Sequence, residues 1–159
     1  MAMRGIELVQ PYLTAAKDVI TRETGAEVTV GKVMLKKPPA STDEVTILIG
    51  VTGEIQGVVM IVMSSQTALN IVGHITGEKY TDLDEMAQSA VAEMANVISG
   101  RGGIGLAQFG RETTISPPAV LVGSKGGAIS TLSIPIYALP LETAFGTIEL
   151  QIALKDATP

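Results

Sequence analysis

Two β-branched runs, residues 44–51 and 55–63, stand three residues apart and are joined by Thr52-Gly53-Glu54. So short a connection leaves only an antiparallel hairpin. Gly57, early in the second run, marks either a bulge or a close backbone approach. The other segments have to be fitted to this sheet. Residues 66–75, capped by Ser64-Ser65 and closed by Gly77, form a short helix with Ala68, Ile71, Val72 and Ile75 inward.

Upstream, Ile6, Val9, Leu13, Ala16 and Ile20 step by three or four and mark a long amphipathic helix over about residues 6–23, ended by Gly25. Pro11 lies within it, so the helix either starts there or is kinked there. Residues 27–35 alternate loosely and are expected as a strand, followed by a loop over 36–41. Downstream of Gly110, residues 115–122 are a strand entered through Pro117-Pro118, which places it at an edge or makes the prolines its start. A turn at 124–127 leads to strands 129–138 and 144–154, joined through Leu139-Pro-Leu-Glu142. The expected architecture is α+β: about six mostly antiparallel strands, two long helices and one short helix. With 159 residues and no linker or low-complexity stretch, residues 1–159 are expected to be one domain with a real core.

Between these β regions, residues 82–109 read as one long helix. Asp82, with Glu85 three residues on, is its expected cap. Met86, Ala90, Met94 and Val97 recur at helical steps and are expected as its buried stripe. Ser89, Glu93 and Asn96 fall at i, i+4 and i+7, which at about 100° per residue puts them within roughly 60° of one another. A hydroxyl, a carboxylate and a carboxamide thus share about 10 Å of helix surface. Three such residues alone describe a solvated helix face.

Composition narrows the functions available. The net charge is −5, aromatic residues are 3%, and no Lys/Arg run exceeds Lys36-Lys37, which argues against nucleic-acid binding. No apolar run reaches the roughly 18 residues of a membrane span, and residues 1–7 lack the apolar core of a signal peptide. Cysteine is absent, which removes thiolate ligands, thiol nucleophiles and disulfides. A cytoplasmic protein that holds neither a cofactor nor a metal is expected. His74, the one histidine, lies far from the polar face and is expected to be structural.

Residues 53–63 resemble residues 142–152, and each stretch follows a long helix. At the matching place on the first helix, Thr14, Asp18 and Thr21 repeat the spacing of Ser89, Glu93 and Asn96. If the two halves are related, their long helices lie side by side on one face of the sheet, and neither half folds alone.

The spacing Ser89-x3-Glu93-x2-Asn96-x21-Pro118 resembles the signature of the CheC/CheX/FliY family of chemotaxis phosphatases, with all four positions matched. The flanks, Leu83-Asp84-Glu85-Met86-Ala87 and Thr114-Ile115-Ser116-Pro117-Pro118, are similar as well. The chain is most like the CheX members in length and in carrying one motif copy. Thr14, Asp18 and Thr21 hold the place of a second copy without its Glu or Asn. The resemblance implies a pseudo-duplicated sheet with both long helices on one face, and a homodimer formed through an extended sheet. It implies hydrolysis of the aspartyl phosphate of a phosphorylated CheY-like response regulator. The alternative within the family is a non-catalytic adaptor that binds a regulator or a flagellar switch component. Glu93 would pair with a lysine of the regulator. An acyl phosphate is already reactive, so Asn96 need only orient an attacking water, accepting through its carbonyl and donating through its amide. Ser89 would contact the partner or hydrogen-bond on the helix, and Pro118 would shape the loop or strand entry opposite. Any Mg2+ is expected on the regulator, because no paired carboxylates accompany the motif.

The helix then carries four glycines in six residues, Gly100, Gly102, Gly103 and Gly105. They signal close packing against the sheet or the first helix, or a break near Gly102. They lie late in a helix, the wrong context for a phosphate-binding loop, which follows a strand and opens a helix. Arg101 among them is an ordinary exposed arginine unless it attracts an acidic partner.

Overall fold

The computed structural model describes residues 2–123, 125–129 and 133–158. Helix α1 (Ile6–Thr24) is followed by β1 (Thr29–Val30), β2 (Met34–Lys36), β3 (Ala40–Ser41) and the hairpin β4 (Val45–Gly53) and β5 (Ile55–Met63). Helices α2 (Ser65–Thr76) and α3 (Glu85–Ala107) come next. The chain ends with β6 (Thr113–Ile115), β7 (Ala119–Val122), β8 (Ala128–Ile129), β9 (Ile136–Thr143) and β10 (Gly146–Asp156).

The main sheet runs β1-β9-β10-β5-β4-β6, with β2 also on β9 and β7 also on β4. Every strand pairing among the described residues is antiparallel. The sheet is therefore six positions wide, as the sequence suggests, but each edge position is split in two. Both splits have a cause. Between β6 and β7 stand Ser116-Pro117-Pro118, and the Ser116 hydroxyl accepts from the Gly50 amide at 2.8 Å. Between β1 and β2 the chain passes Pro140 of β9, where the Gly31 amide donates to the Pro140 carbonyl at 2.8 Å. Proline offers no N–H, so it sits where the neighbouring strand is interrupted. Leu139-Pro-Leu-Glu142 is thus part of β9 rather than a connection, and the reversal falls at Ala144-Phe145. Ser124 of the expected turn, and residues 130–132 of the expected strand 129–138, lie outside the described residues.

The element order repeats. A long helix, a split edge strand, a short strand and a hairpin occur as α1, β1/β2, β3, β4–β5, and again as α3, β6/β7, β8, β9–β10. The hairpins join through β5 and β10 at the centre, each split edge strand borders the other half's hairpin, and β3 pairs with β8. Gly57 and Gly146, aligned in the sequence comparison, both have positive φ, 145° and 127°. At Gly57 the cause is a close approach of strands: a Cβ there would lie 1.9 Å from the Ala153 carbonyl oxygen.

Alternation assigns the two faces of the sheet. Val45, Ile47, Ile49 and Val51 of β4, with Val59, Ile61 and Met63 of β5, form the main core with all three helices. Met60, Val62, Ile136 and Ala153 face the other way and are covered by Ala40 and Ile129 of the β3–β8 pair. Helix α1 runs on both sides of Pro11, so it does not start there, and Ile6 of its expected stripe is exposed.

Chain ends are tied at Asp156, whose carboxylate accepts from the Thr158 hydroxyl and amide, the Met3 amide at 2.7 Å and Arg111 Nε at 2.9 Å. The Thr158 hydroxyl first, then the Met3 amide, hold this carboxyl far below the usual carboxylate range. A folded-state pKa below the unfolded one, about 3.9, contributes stability above that value and loses it as pH falls through the folded one. In urea titrations, Asp156→Asn should be less stable than wild type at pH 7, and the difference should shrink steadily below about pH 4. A difference that does not change with pH would contradict this assignment.

Candidate active site

Helix α3 begins at Glu85, not Asp82. The Asp84 carboxylate caps it by accepting from the Ala87 amide at 2.9 Å, and the Gln88 side chain donates to the Leu83 carbonyl at 2.7 Å. Its buried positions are Ala87, Val91, Met94, Ala95, Ile98, Ser99, Gly102 and Leu106. Met86 is 67% exposed, and of the stripe expected from spacing only Met94 is buried. The reason is compositional. Only Glu85, Glu93 and Arg101 are charged in 23 residues, so several stripes look apolar. The small side chains of Ala87, Ala95 and Gly102 select the stripe that packs closest.

Ser89 and Glu93 are exposed and Asn96 is half-buried on the opposite side of α3, as their spacing requires. Among the described residues, none of the three side chains makes a hydrogen bond or ion pair with another part of the chain. Glu93 therefore presents a charge, and Asn96 a donor and an acceptor, to whatever binds there. Met86 and Ile104, both well exposed, flank them along the same face. Sequence reasoning missed both as surface residues. Pro118 is half-buried immediately before β7, at the break in the edge strand. Helix α3 packs against β4, β6 and β7, and Pro118 lies in the break between the last two of these.

The glycine-rich tail does not break the helix, which continues to Ala107. A Cβ on Gly102 would lie 2.2 to 2.8 Å from the Tyr12 ring, and one on Gly105 would lie 2.7 Å from Pro11 Cβ. These two glycines let α3 lie directly on α1. Tyr12 is fully buried, its hydroxyl has no hydrogen-bond partner among the described residues, and burial pushes its phenol well above its usual range.

On α1, Asp18 occupies the position equivalent to Glu93. It is held by Arg101 of α3 and by Arg22 at 3.4 Å. Arg101 is therefore a partner of α1, and the face that could have carried a second motif carries an ion-pair network instead. His74 is exposed and its ring lies 5.1 Å from that of Phe145, remote from the motif.

A groove of about 190 Å³ lies beside α3, lined by Ser99, Gly100, Gly103, Ile104, Thr113 and Ile115 among others. A larger one, about 730 Å³, runs along the surface where α1 meets the C-terminal half of α3, and none of Ser89, Glu93 or Asn96 lines it. Its walls are mainly apolar, so its size does not make it the place of chemistry. Among the described residues no group of three or more His, Asp or Glu is placed to hold a metal, and no helix is long and apolar enough to cross a membrane.

Comparison with known proteins adds the family. The model for the chemotaxis phosphatase CheX matches residues 45–142, a span that includes Ser89, Glu93, Asn96 and Pro118. The sequence is 29% identical over 137 residues to the CheY-P phosphatase CheX of Thermotoga maritima, covering 82% of this chain and 88% of that protein. The crystal structure of CheX from Desulfovibrio desulfuricans superposes with a TM-score of 0.84 at 27% identity, over 93% of this chain and 99% of that one. A chain of the CheX-CheY-BeF3-Mg2+ complex from Borrelia burgdorferi gives 0.76 at 28% identity, over 92% and 97%.

Proposed function

This chain belongs to the CheX family of chemotaxis phosphatases, and from that premise we propose that it hydrolyses the aspartyl phosphate of a CheY-type response regulator. The observation that carries the proposal is the pair Glu93, exposed, and Asn96, half-buried, on one face of α3 with no hydrogen-bond or ion-pair partner among the described residues.

In this reading α3 enters the receiver's phosphorylation site. Glu93 pairs with a lysine there and sets the register. Asn96, one turn on, accepts from and donates to a water held in line with phosphorus. Water oxygen forms the new P–O bond while the bond between phosphorus and the aspartyl oxygen breaks. The aspartate leaves as carboxylate, and the water's proton passes to phosphate and solvent. A carboxylate is a good leaving group, so no strong base is required, and an amide suffices. Ser89 contacts the partner from the turn before Glu93. Pro118 shapes the sheet edge that supports α3. The Mg2+ that neutralises phosphoryl charge belongs to the receiver's own carboxylates. Such a substrate places the reaction in the cytoplasm, and the interleaved halves act as one domain.

The test is the decay of a phosphorylated receiver domain with and without the protein. Acceleration is expected. Undiminished acyl phosphate with every receiver of the source organism, despite measurable binding, would leave the adaptor reading in its place.

The expected homodimer fits the edge formed by β1 and β2. Val33, Met34 and Leu35 are exposed there, and β2 has β9 on one side only. An apolar edge of this kind invites pairing with a second copy. Sedimentation should show a dimer that Leu35→Lys converts to a folded monomer. A dimer unaffected by that change would move the interface elsewhere.

A further inference from the structure

The four glycines of α3 are not equivalent. Gly102 and Gly105 make room for Tyr12 and Pro11, and a Cβ on Gly103 would lie 3.0 Å from Thr113 Oγ1. Gly100 has no such cause. A Cβ there would meet nothing within 4 Å, and its backbone is ordinary right-handed helix. Glycine is among the weakest helix formers, so an interior helical glycine without a packing neighbour calls for another explanation.

Its position supplies one. Gly100 is four residues beyond Asn96, about 6 Å along the axis, and by rotation falls between Asn96 and Glu93. It also lines the 190 Å³ groove between α3 and β6. Ser99 also lines this groove, and its hydroxyl is fully buried with no hydrogen-bond partner among the described residues. A buried hydroxyl is rarely left unpaired. A polar backbone atom entering the groove from outside would complete it if α3 and β6 part slightly to uncover the hydroxyl.

We propose that Gly100 is the point of closest approach for the phosphorylated receiver, where a segment of the receiver's backbone packs directly on α3 and reaches into the Ser99 groove. The proposal rests on the phosphatase reading and adds a specificity-determining residue to it. Glu93 and Asn96 address the phosphorylation site, and Gly100 sets how deeply α3 can enter. A side chain at this position holds the receiver away, which weakens docking before it affects the chemistry of complexes that do form.

The expected signature separates docking from folding. Gly100→Ala should leave the melting temperature unchanged or raised, because alanine is the better helix former. Its KM for phosphorylated receiver should rise about tenfold while kcat changes little, the effect of one overpacked contact. Gly100→Leu should lose about a hundredfold in kcat/KM without loss of helical signal. Two folded variants with wild-type kcat/KM would overturn the proposal. Binding of beryllofluoride-activated receiver domains with Mg2+, measured in parallel, isolates the contact from hydrolysis. If wild type binds but does not hydrolyse, the phosphatase reading falls, and loss of binding in Gly100→Leu still supports the contact. Equal binding by both overturns it, and a wild-type protein that neither binds nor hydrolyses overturns both.

Discussion

Asn96→Ala should reduce receiver dephosphorylation by at least about a hundredfold, while binding to the activated receiver stays within a few-fold of wild type. Asn96 is half-buried on the outer face of α3, and its amide has no partner among the described residues. Truncation therefore creates no cavity in the core and leaves no buried group unpaired, so folding should be unaffected. What is lost, on the proposed mechanism, is the planar group that holds a water against phosphorus. Asn96→Asp should fare no better, since it removes the amide donor and sets a negative charge against the phosphoryl oxygens. Glu93→Ala should behave differently and weaken both binding and turnover, because in the proposed complex this exposed carboxylate acts through an ion pair with the partner. Rates are read from single-turnover decay and affinities from titration with the beryllofluoride form. Wild-type turnover by Asn96→Ala would remove Asn96 from the mechanism.

The elements that define the fold were legible wherever one local rule decided the outcome. The hairpin 44–63, the cap at Ser64 with its closing Gly77, and the end of α1 at Gly25 each follow from turn or cap chemistry alone. Where tertiary contact decides, local sequence rules point elsewhere. Asp82, with Glu85 three residues on, reads as the cap by sequence, yet the structure gives that role to Asp84, which accepts from the Ala87 amide. Met86 lies on an apolar stripe, but the stripe next to it packs closer because Gly102 faces Tyr12. Pro140 reads as a connection between strands until Gly31 is seen to interrupt the strand alongside. For the site, spacing on a helix was enough to place Ser89, Glu93 and Asn96 on one face. Pro118 was visible only through its distance in the motif, and the groove at Gly100 and Ser99 had no sequence signal, since it is made jointly by α3 and β6.

Gly102→Ala should destabilise the protein even though it improves intrinsic helix propensity by about 1 kcal/mol. The new Cβ would lie 2.2 Å from Tyr12 Cδ1 and 2.4 Å from Cε1. Tyr12 is fully buried, so its ring cannot swing into solvent, and α3 must instead move off α1. Overpacking of this kind costs about 1–3 kcal/mol for one methyl and more for valine. Gly102→Val therefore threatens a large part of the roughly 5–15 kcal/mol that holds a domain together. The same contact fixes the rotation of α3, which keeps Met94 in the core and Glu93 outward. A shift of about 1 Å in the motif is enough to lower turnover about a hundredfold. Stability and activity should thus fall together in Gly102→Ala, whereas in Gly100→Ala they should move apart. Adding Tyr12→Leu to Gly102→Ala should restore part of both, a coupling expected only of residues in direct contact. Urea unfolding of the four proteins of this cycle measures that coupling. Additive effects, or a Gly102→Ala protein more stable than wild type, would show that the glycine serves something other than the packing of α3 on α1.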